Sequence, residues 1–311
     1  MHDSDKSRQS VLEVKNVGKR FGKFQALKDV TFTVPNNGKC LLLGPNGAGK
    51  STMIKCVMGV HRFGGTVTVD GLDVSKKGVP ARAKIGYVPQ YSAFYENLSV
   101  DQEARFIARI KGASKDAIQE KLAIVGLTDA TKKAMKALSG GMRQRFALAM
   151  ALLTDPPMLI FDEPLANIDL KGQLDFLGLV RNLAMGGHTL LIATHLTGLS
   201  EFADQVVVLN RGRKVAEGNP DILLSQLDAD QILYVKPKAG HAAEVIEILA
   251  KNNAKIINDK SITMVISIPN SRKFALLNNL FSNGGILDDI AIEPSKIEAA
   301  YTKFLEEKAP A

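Results

Sequence analysis

GPNGAGKST, residues 44–52, places Gly44, Gly49, Lys50 and Ser51 in the spacing G-x-x-x-x-G-K-[ST]. Glycines let a backbone wrap around an anion with its N–H groups turned inward. Gly44, Asn46, Gly47, Ala48, Gly49, Lys50, Ser51 and Thr52 are therefore candidates for holding phosphates. In such a cradle the Lys50 ammonium neutralises β- and γ-phosphate charge and the Ser51 hydroxyl holds Mg²⁺. Further along, MLIFDEP sets Asp162 and Glu163 at the end of an apolar run. Asp162 there suits water-mediated Mg²⁺ coordination, and Glu163 suits a general base that holds an attacking water. Alone, such a pair also reads as a turn with a cap. LSGGMRQR, residues 138–145, suggests a second anion site, because Ser139, Gly140 and Gly141 open a helical pattern whose first N–H groups face outward.

These residues need elements to position them. GKCLLLG is a short buried strand before the glycine loop, and STMIKCVMGV reads as the helix after it. IGYVPQ, MLIFDEP, HTLLIATH and QVVVLNRGRKVAEG add strands, and a helix is expected from about Leu170 to Met185. Strands alternating with helices predict a largely parallel sheet covered on both faces. Gln90 and His195 each follow such a strand. At the carboxyl edge of a parallel sheet both would face the ligand crevice, although either alone also reads as a cap or a satisfied core group. Two alternating runs, VLEVKNVGKRF and ALKDVTFTV, precede the glycine loop as strands, and GGTVTVDGLDV follows as another. Residues 96 to 150 are helix-rich, with Ser99 and Gln102 spaced as a capping box.

The last eighty residues read differently. ILYVKP, GHAAEVIEILAKN, AKIIND, SITMVISIP, NSRKFALLNNLFSN and GILDDIAIEP follow the order β-α-β-β-α-β of a ferredoxin-like unit. A final helix is expected from Ser295, with Glu298 completing a capping box.

Composition narrows the classes. The chain of 311 residues is 45% hydrophobic, yet no stretch approaches the roughly 18 apolar residues of a membrane helix. MHDSDKSRQS lacks the apolar core of a secretory signal, which sets the expectation of a frayed tail on a cytosolic protein. Cys40 and Cys56 have no ligand spacing and read as core residues. The net charge is +8, but residues 231–311 hold 10 Lys and Arg against 9 Asp and Glu, so nearly all the excess lies earlier. It forms no basic run, and nucleic acid is not an expected partner.

GPNGAGKST, the glutamine of YVPQ, LSGGMRQR, FDEP and the histidine of ATHL occur in the order and approximate spacing of the nucleotide-binding subunits of ABC transporters, which the chain resembles over residues 11 to 220. LSGG separates that family from other phosphate-loop proteins. The resemblance implies an α/β fold, an ABC-type phosphate-loop ATPase with an inserted helical subdomain, plus a small C-terminal α+β, ferredoxin-like domain. It implies ATP and Mg²⁺ as cofactors. It makes Phe21 the aromatic that stacks on adenine, Gln90 the link from γ-phosphate and Mg²⁺ to a membrane partner, and His195 the γ-phosphate switch. It places Ser139, Gly140 and Gly141 on the ATP of a second copy, so that ATP joins a homodimer and hydrolysis by Glu163 releases it. Asp169 keeps its place in the nucleotide site, but Asn167 stands where glycine is usual and Leu170 where proline is.

The expected domains are a tail (1–10), the ATPase (11–221, helical subdomain about 91–150), a linker (222–231) and an accessory domain (232–311). Ile292 to Leu305, IEPSKIEAAYTKFL, and the stretch after Gln90 resemble the ATPases that serve ABC-2 exporters, including the nitrous-oxide-reductase maturation and drug or lipid export types. The accessory domain then either regulates or widens the dimer interface. Tyr91–Tyr95, YSAFY, is expected to receive a helix of a membrane permease at the inner face of the cell membrane, with ordinary packing between subdomains as the alternative. Other readings are an importer ATPase with a ligand-binding regulatory domain, a non-transporting ATPase that pulls on a membrane assembly, and a soluble ABC protein of ribosomes or DNA. The single cassette and lack of sustained heptads count against the last.

Overall fold

The computed structural model describes residues 10–166, 168–194, 203–220, 222–223, 230–258, 263–282 and 285–292. The chain divides into two compact units, Met1–Glu217 and Gly218–Ala311. Among the described residues no helix is long and apolar enough to cross a membrane.

The first unit holds two sheets. β1 (Ser10–Phe21), β2 (Phe24–Pro35), β4 (Gly64–Val69) and β5 (Leu72–Asp73) form an antiparallel sheet in the order β2-β1-β4-β5. Its alternating sequence buries mainly one face, through Leu12, Val14, Phe32, Val34, Val67 and Val69. β3 (Lys39–Leu43), β6 (Ile85–Val88), β7 (Met158–Asp162), β8 (Thr189–Thr194), β9 (Gln205–Asn210) and β10 (Arg213–Gly218) form the second sheet, in the order β10-β9-β3-β8-β7-β6. β9, β3, β8, β7 and β6 run parallel. Every residue of β7 and β8 is buried, as expected where helices or a second sheet cover both faces. The antiparallel sheet, α1 (Lys50–Val57) and one face of the parallel sheet share a core that includes Phe32, Met53, Ile54, Ile160, Leu191 and Val207.

α2 (Gly78–Ala83), α3 (Val100–Lys111), α4 (Lys115–Ile124) and α5 (Gly140–Leu152) supply the helix-rich region. The Ser99 capping box forms as expected: Gln102 N donates to Ser99 Oγ at 3.2 Å and Ser99 N to Gln102 Oε1 at 2.9 Å. From Phe146 to Leu152 every residue of α5 is buried, so this helix is the hub of the subdomain. It approaches β6 at Gly86, where a Cβ would stand 2.6 Å from Leu159 Cδ2 and 2.7 Å from the Ala151 carbonyl oxygen. Gly86→Ala is therefore expected to lower the unfolding free energy by about 1–3 kcal/mol, read from the urea midpoint at constant slope. α6 (Leu170–Met185) buries Phe176, Val180 and Ala184 at four-residue spacing, with Phe176 edge-on to Phe161 at 6.1 Å.

The second unit is a four-stranded antiparallel sheet, β12-β13-β11-β14, built from β11 (Asp230–Pro237), β12 (Lys255–Asn258), β13 (Met264–Pro269) and β14 (Leu287–Ile292). Helices Ala242–Lys251 and Asn270–Ser282 fall after its first and third strands, which gives β-α-β-β-α-β. Leu233, Val235, Ile266 and Ile268 pack on Val245, Leu249, Leu276 and Leu280. The helix expected from Ser295 with Glu298, and most of the expected linker, lie outside the described residues.

Candidate functional site

The glycine loop begins where β3 ends. At Gly44 a Cβ would meet the Leu209 carbonyl oxygen at 2.6 Å, so only glycine lets the loop pass β9 this closely. Gly47 (φ 81°) and Gly49 (φ 104°) occupy the left-handed region. The β9–β10 turn, Arg211 and Gly212, has positive φ at both residues, as a two-residue hairpin favours. It braces the loop, since Gly212 N donates to the Ala48 oxygen at 3.0 Å and Lys28 N to the Gly212 oxygen at 2.7 Å. α1 then starts at Lys50 with no side-chain cap and no acidic residue in its first turn. Such a start, with the first N–H groups and the positive end of the helix dipole, suits an anion.

Lys50 is 6% exposed. Its Nζ donates to the Gly44 oxygen at 2.6 Å and the Pro45 oxygen at 3.3 Å, and pairs with Glu163 Oε1 at 3.1 Å. Ser51 Oγ donates to Asp162 Oδ1 at 3.0 Å. Burial, and after it the charge of Glu163, hold the Asp162 carboxyl above the usual aspartate range, against the Ser51 hydrogen bond and the charge of Lys50. Tyr87, on the neighbouring strand, is pushed up to about 12 by burial and by Asp162, so its hydroxyl stays protonated beside that carboxylate. Glu163 adopts φ 49°, unusual for a residue with a Cβ, while its N–H donates to the Ala193 oxygen at 2.8 Å. That hydrogen bond holds the turn that aims its side chain off the end of β7.

These groups open on one groove of about 280 Å³, lined by Pro45 to Thr52, Gln90, Glu163, Ala26 and Phe24. Asn46, Gly47, Ala48, Gly49, Lys50, Ser51, Thr52, Gln90 and Glu163 thus meet in one place. Gly44 and Asp162 adjoin them through Lys50 and Ser51. The uncapped start of α1, one buried ammonium, a hydroxyl with its carboxylate, and a second carboxylate can together bind a polyphosphate with a divalent cation and hold a water.

Other candidates sit elsewhere. Phe21 ends β1, edge-on to His61 with ring centroids 5.2 Å apart and Lys19 Nζ 4.7 Å from its own centroid. Phe24, across the two-residue turn, lines the groove instead; it was legible only as the second aromatic of RFGKF. Ser139 caps α5, its Oγ accepting from Met142 N at 3.3 Å; it and Gly140 are exposed, Gly141 is buried, and none of the three lines the groove. Asp169 precedes α6 without a side-chain capping bond. His195 lies outside the described residues. Cys40 and Cys56 are buried as expected, and burial raises both thiols, Cys56 to about 11, which leaves them unreactive.

A glycine loop between a parallel strand and a helix, with a carboxylate strand beside it, defines a phosphate-loop nucleotide hydrolase. The family profile described as ABC transporter matches residues 27–166. The linearmycin resistance ATP-binding protein LnrL of Bacillus subtilis (strain 168) is 32% identical over 271 residues, covering 85% of this chain and 87% of its own. The daunorubicin resistance ATP-binding protein DrrA3 of Streptomyces coeruleorubidus is 29% identical over 302 residues, 94% of this chain and 95% of its own. The sulfate/thiosulfate import ATP-binding protein CysA of Burkholderia mallei (strain ATCC 23344) is 36% identical over 246 residues, 76% and 67%. A solved dimer of the ATP-binding cassette MJ0796, in a post-hydrolysis state with ADP and Pi, superposes with a TM-score of 0.61 at 26% identity over 67% of this chain and 98% of that one. The chain belongs to the ATP-binding subunits of ABC transporters, which hydrolyse ATP to drive transport, dimerise, and work with transmembrane subunits.

Proposed function

We propose that the chain is the ATPase of an ABC-2-type exporter and acts as a homodimer with two equivalent ATP sites at the inner face of the cell membrane. Each site combines the 44–52 loop, Gln90, Asp162 and Glu163 of one copy, which meet at the groove, with Phe21, Asp169 and His195, which the family likeness assigns to it, and with Ser139, Gly140 and Gly141 of the other copy. The observation that carries this reading is the exposed start of α5, an anion-binding helix end that takes no part in its own chain's groove. Lys50 binds the β- and γ-phosphates, and Glu163 takes the proton of the attacking water at its carboxylate. Ser51 and Asp162, with Gln90, are oxygen donors that fit Mg²⁺, which supplies charge neutralisation of the phosphates when bound. Light scattering tests the reading: ATP must double the mass of the purified Glu163→Gln chain, which does not release the dimer by hydrolysis, and ADP must not.

The exporter assignment is supported by the two resistance proteins, which match 85% and 94% of the chain and so extend into the second unit. The match to CysA favours an importer instead; direction of cargo movement in inverted against right-side-out vesicles separates the two. The second unit is assigned as an accessory domain over 232–311, joined by a linker at 222–231 to the ATPase of 11–221.

The permease is assigned to Tyr91–Tyr95. Within that segment Phe94 packs edge-on to Phe146 of α5 at 5.0 Å, which is packing between segment and helix. Tyr91 is 73% and Tyr95 61% exposed, and Tyr95 stacks edge-on to Phe106 at 5.5 Å. Replacing Tyr91 and Tyr95 together by alanine is expected to abolish co-purification of the membrane subunit while shifting the melting midpoint by less than about 2 °C. Co-purification at the wild-type level would remove the segment from the interface.

A further inference from the structure

The loop that follows Glu163 carries an arrangement that the nucleotide groove does not explain. Gln173, in the first turn of α6, sends its side-chain amide back to that loop, where Nε2 donates to the Ile168 oxygen at 3.0 Å and to the Leu165 oxygen at 3.3 Å. A glutamine amide has two N–H donors, and both are used here. Ile168 is almost fully buried. Its Cγ2 stands 3.4 Å from where a Cβ on Gly141 would lie and 2.5 Å from where one on Gly172 would lie. The loop is thereby wedged between the second glycine of α5's start and the first turn of α6. Gly172 leaves room for Asp169 as well, whose Oδ1 would be 2.8 Å from an added Cβ.

We propose that Gln173 is a positioning residue for ATP hydrolysis, whose two amide hydrogen bonds fix the loop after Glu163 against Gly141 at the start of α5. The inference rests on the shared-site reading above. In that reading one chain lends Glu163 to one ATP site and Ser139–Gly141 to the other, and the Gln173–Ile168–Gly141 contact is the rigid piece joining its two contributions. Leu170 gives the start of α6 no fixed φ, so the two hydrogen bonds set the loop where a constrained backbone does not.

Donation, rather than bulk or helix propensity, is the property at issue, and substitutions in the full-length chain separate the two. Glutamate has the size of glutamine and forms helix well but presents only acceptors to two carbonyls, whereas arginine forms helix equally well and donates. Gln173→Glu is expected to lower kcat about tenfold or more, with ADP affinity within about threefold of wild type, as for a lost pair of half-buried hydrogen bonds that touches no phosphate. Gln173→Arg is expected to restore kcat to within about threefold of wild type through its fork of donors. Should the glutamate variant fail to fold, Gln173→Leu fills the same space without donating and must show the same fall. Wild-type kcat in the glutamate or leucine variant overturns the proposal, and so does an arginine variant as slow as they are. Glu163→Gln is assayed alongside: if it keeps full turnover, the general-base reading fails, whereas a dead Glu163→Gln beside an unimpaired Gln173→Glu removes this inference alone.

Discussion

Glu163→Gln is expected to bind ATP, to hold the dimer that wild type releases, and to turn over about 10²–10⁴-fold more slowly, the contribution of a positioned general base. The side chain sits at the end of a fully buried strand, in a left-handed backbone tied to Ala193, and it lines the same groove as the phosphate loop. A carboxylate so placed fits the proposed role of holding a water beside the terminal phosphate. The amide of glutamine keeps the shape and loses the basic oxygen. The substitution also removes a negative charge that shares Lys50 at 3.1 Å, so ATP competes with one anion fewer and its affinity is expected to rise. Steady-state ATPase rates and light scattering in ATP check both halves. Turnover within tenfold of wild type, or a variant that stays monomeric in ATP, contradicts the assignment.

Local signals make much of this architecture legible in the sequence. MLIFD is an unbroken apolar run because β7 is covered on both faces, and the Ser99–Gln102 box is written in four consecutive residues. The expected helix from Leu170 to Met185 is found over those residues, because its apolar positions repeat with the helical period. Gln90 was placed at the groove by the rule that polar residues after parallel strands face the ligand, a topological argument that one sequence supports. Contacts set by chain crossing left no such trace. The Lys50–Glu163 pair joins distant positions whose approach depends on β3 and β7 both neighbouring β8. Gly86 looks like any strand glycine until α5 is laid on it. The pairing of β1 with β4 rather than with the parallel sheet is a choice of partner, and alternation of residue types specifies only which face is buried. Phe24 escaped notice for a similar reason, since the turn at Gly22 decides which of two nearby aromatics reaches the groove.

Lys50→Ala is expected to act on binding and on stability through separate contacts. Its ammonium is the one buried cation lining the groove among the described residues, so nucleotide affinity should fall about 10²-fold or more when it is removed. The same ammonium balances Glu163, whose side chain is only 8% exposed, and a buried carboxylate that loses its cation costs about 3 kcal/mol. A melting midpoint lower by several degrees should accompany the binding defect. The double variant Lys50→Ala with Glu163→Gln distinguishes the two losses. Neutralising Glu163 removes the buried charge, so the midpoint should recover most of its fall, whereas nothing restores the phosphate partner and affinity should stay low. Calorimetric melting and ADP titration of the single and double variants measure these outcomes. If the double variant melts as low as Lys50→Ala, the lysine stabilises the loop through its hydrogen bonds to Gly44 and Pro45. Nucleotide binding would then owe its dependence on Lys50 to loop shape as much as to charge.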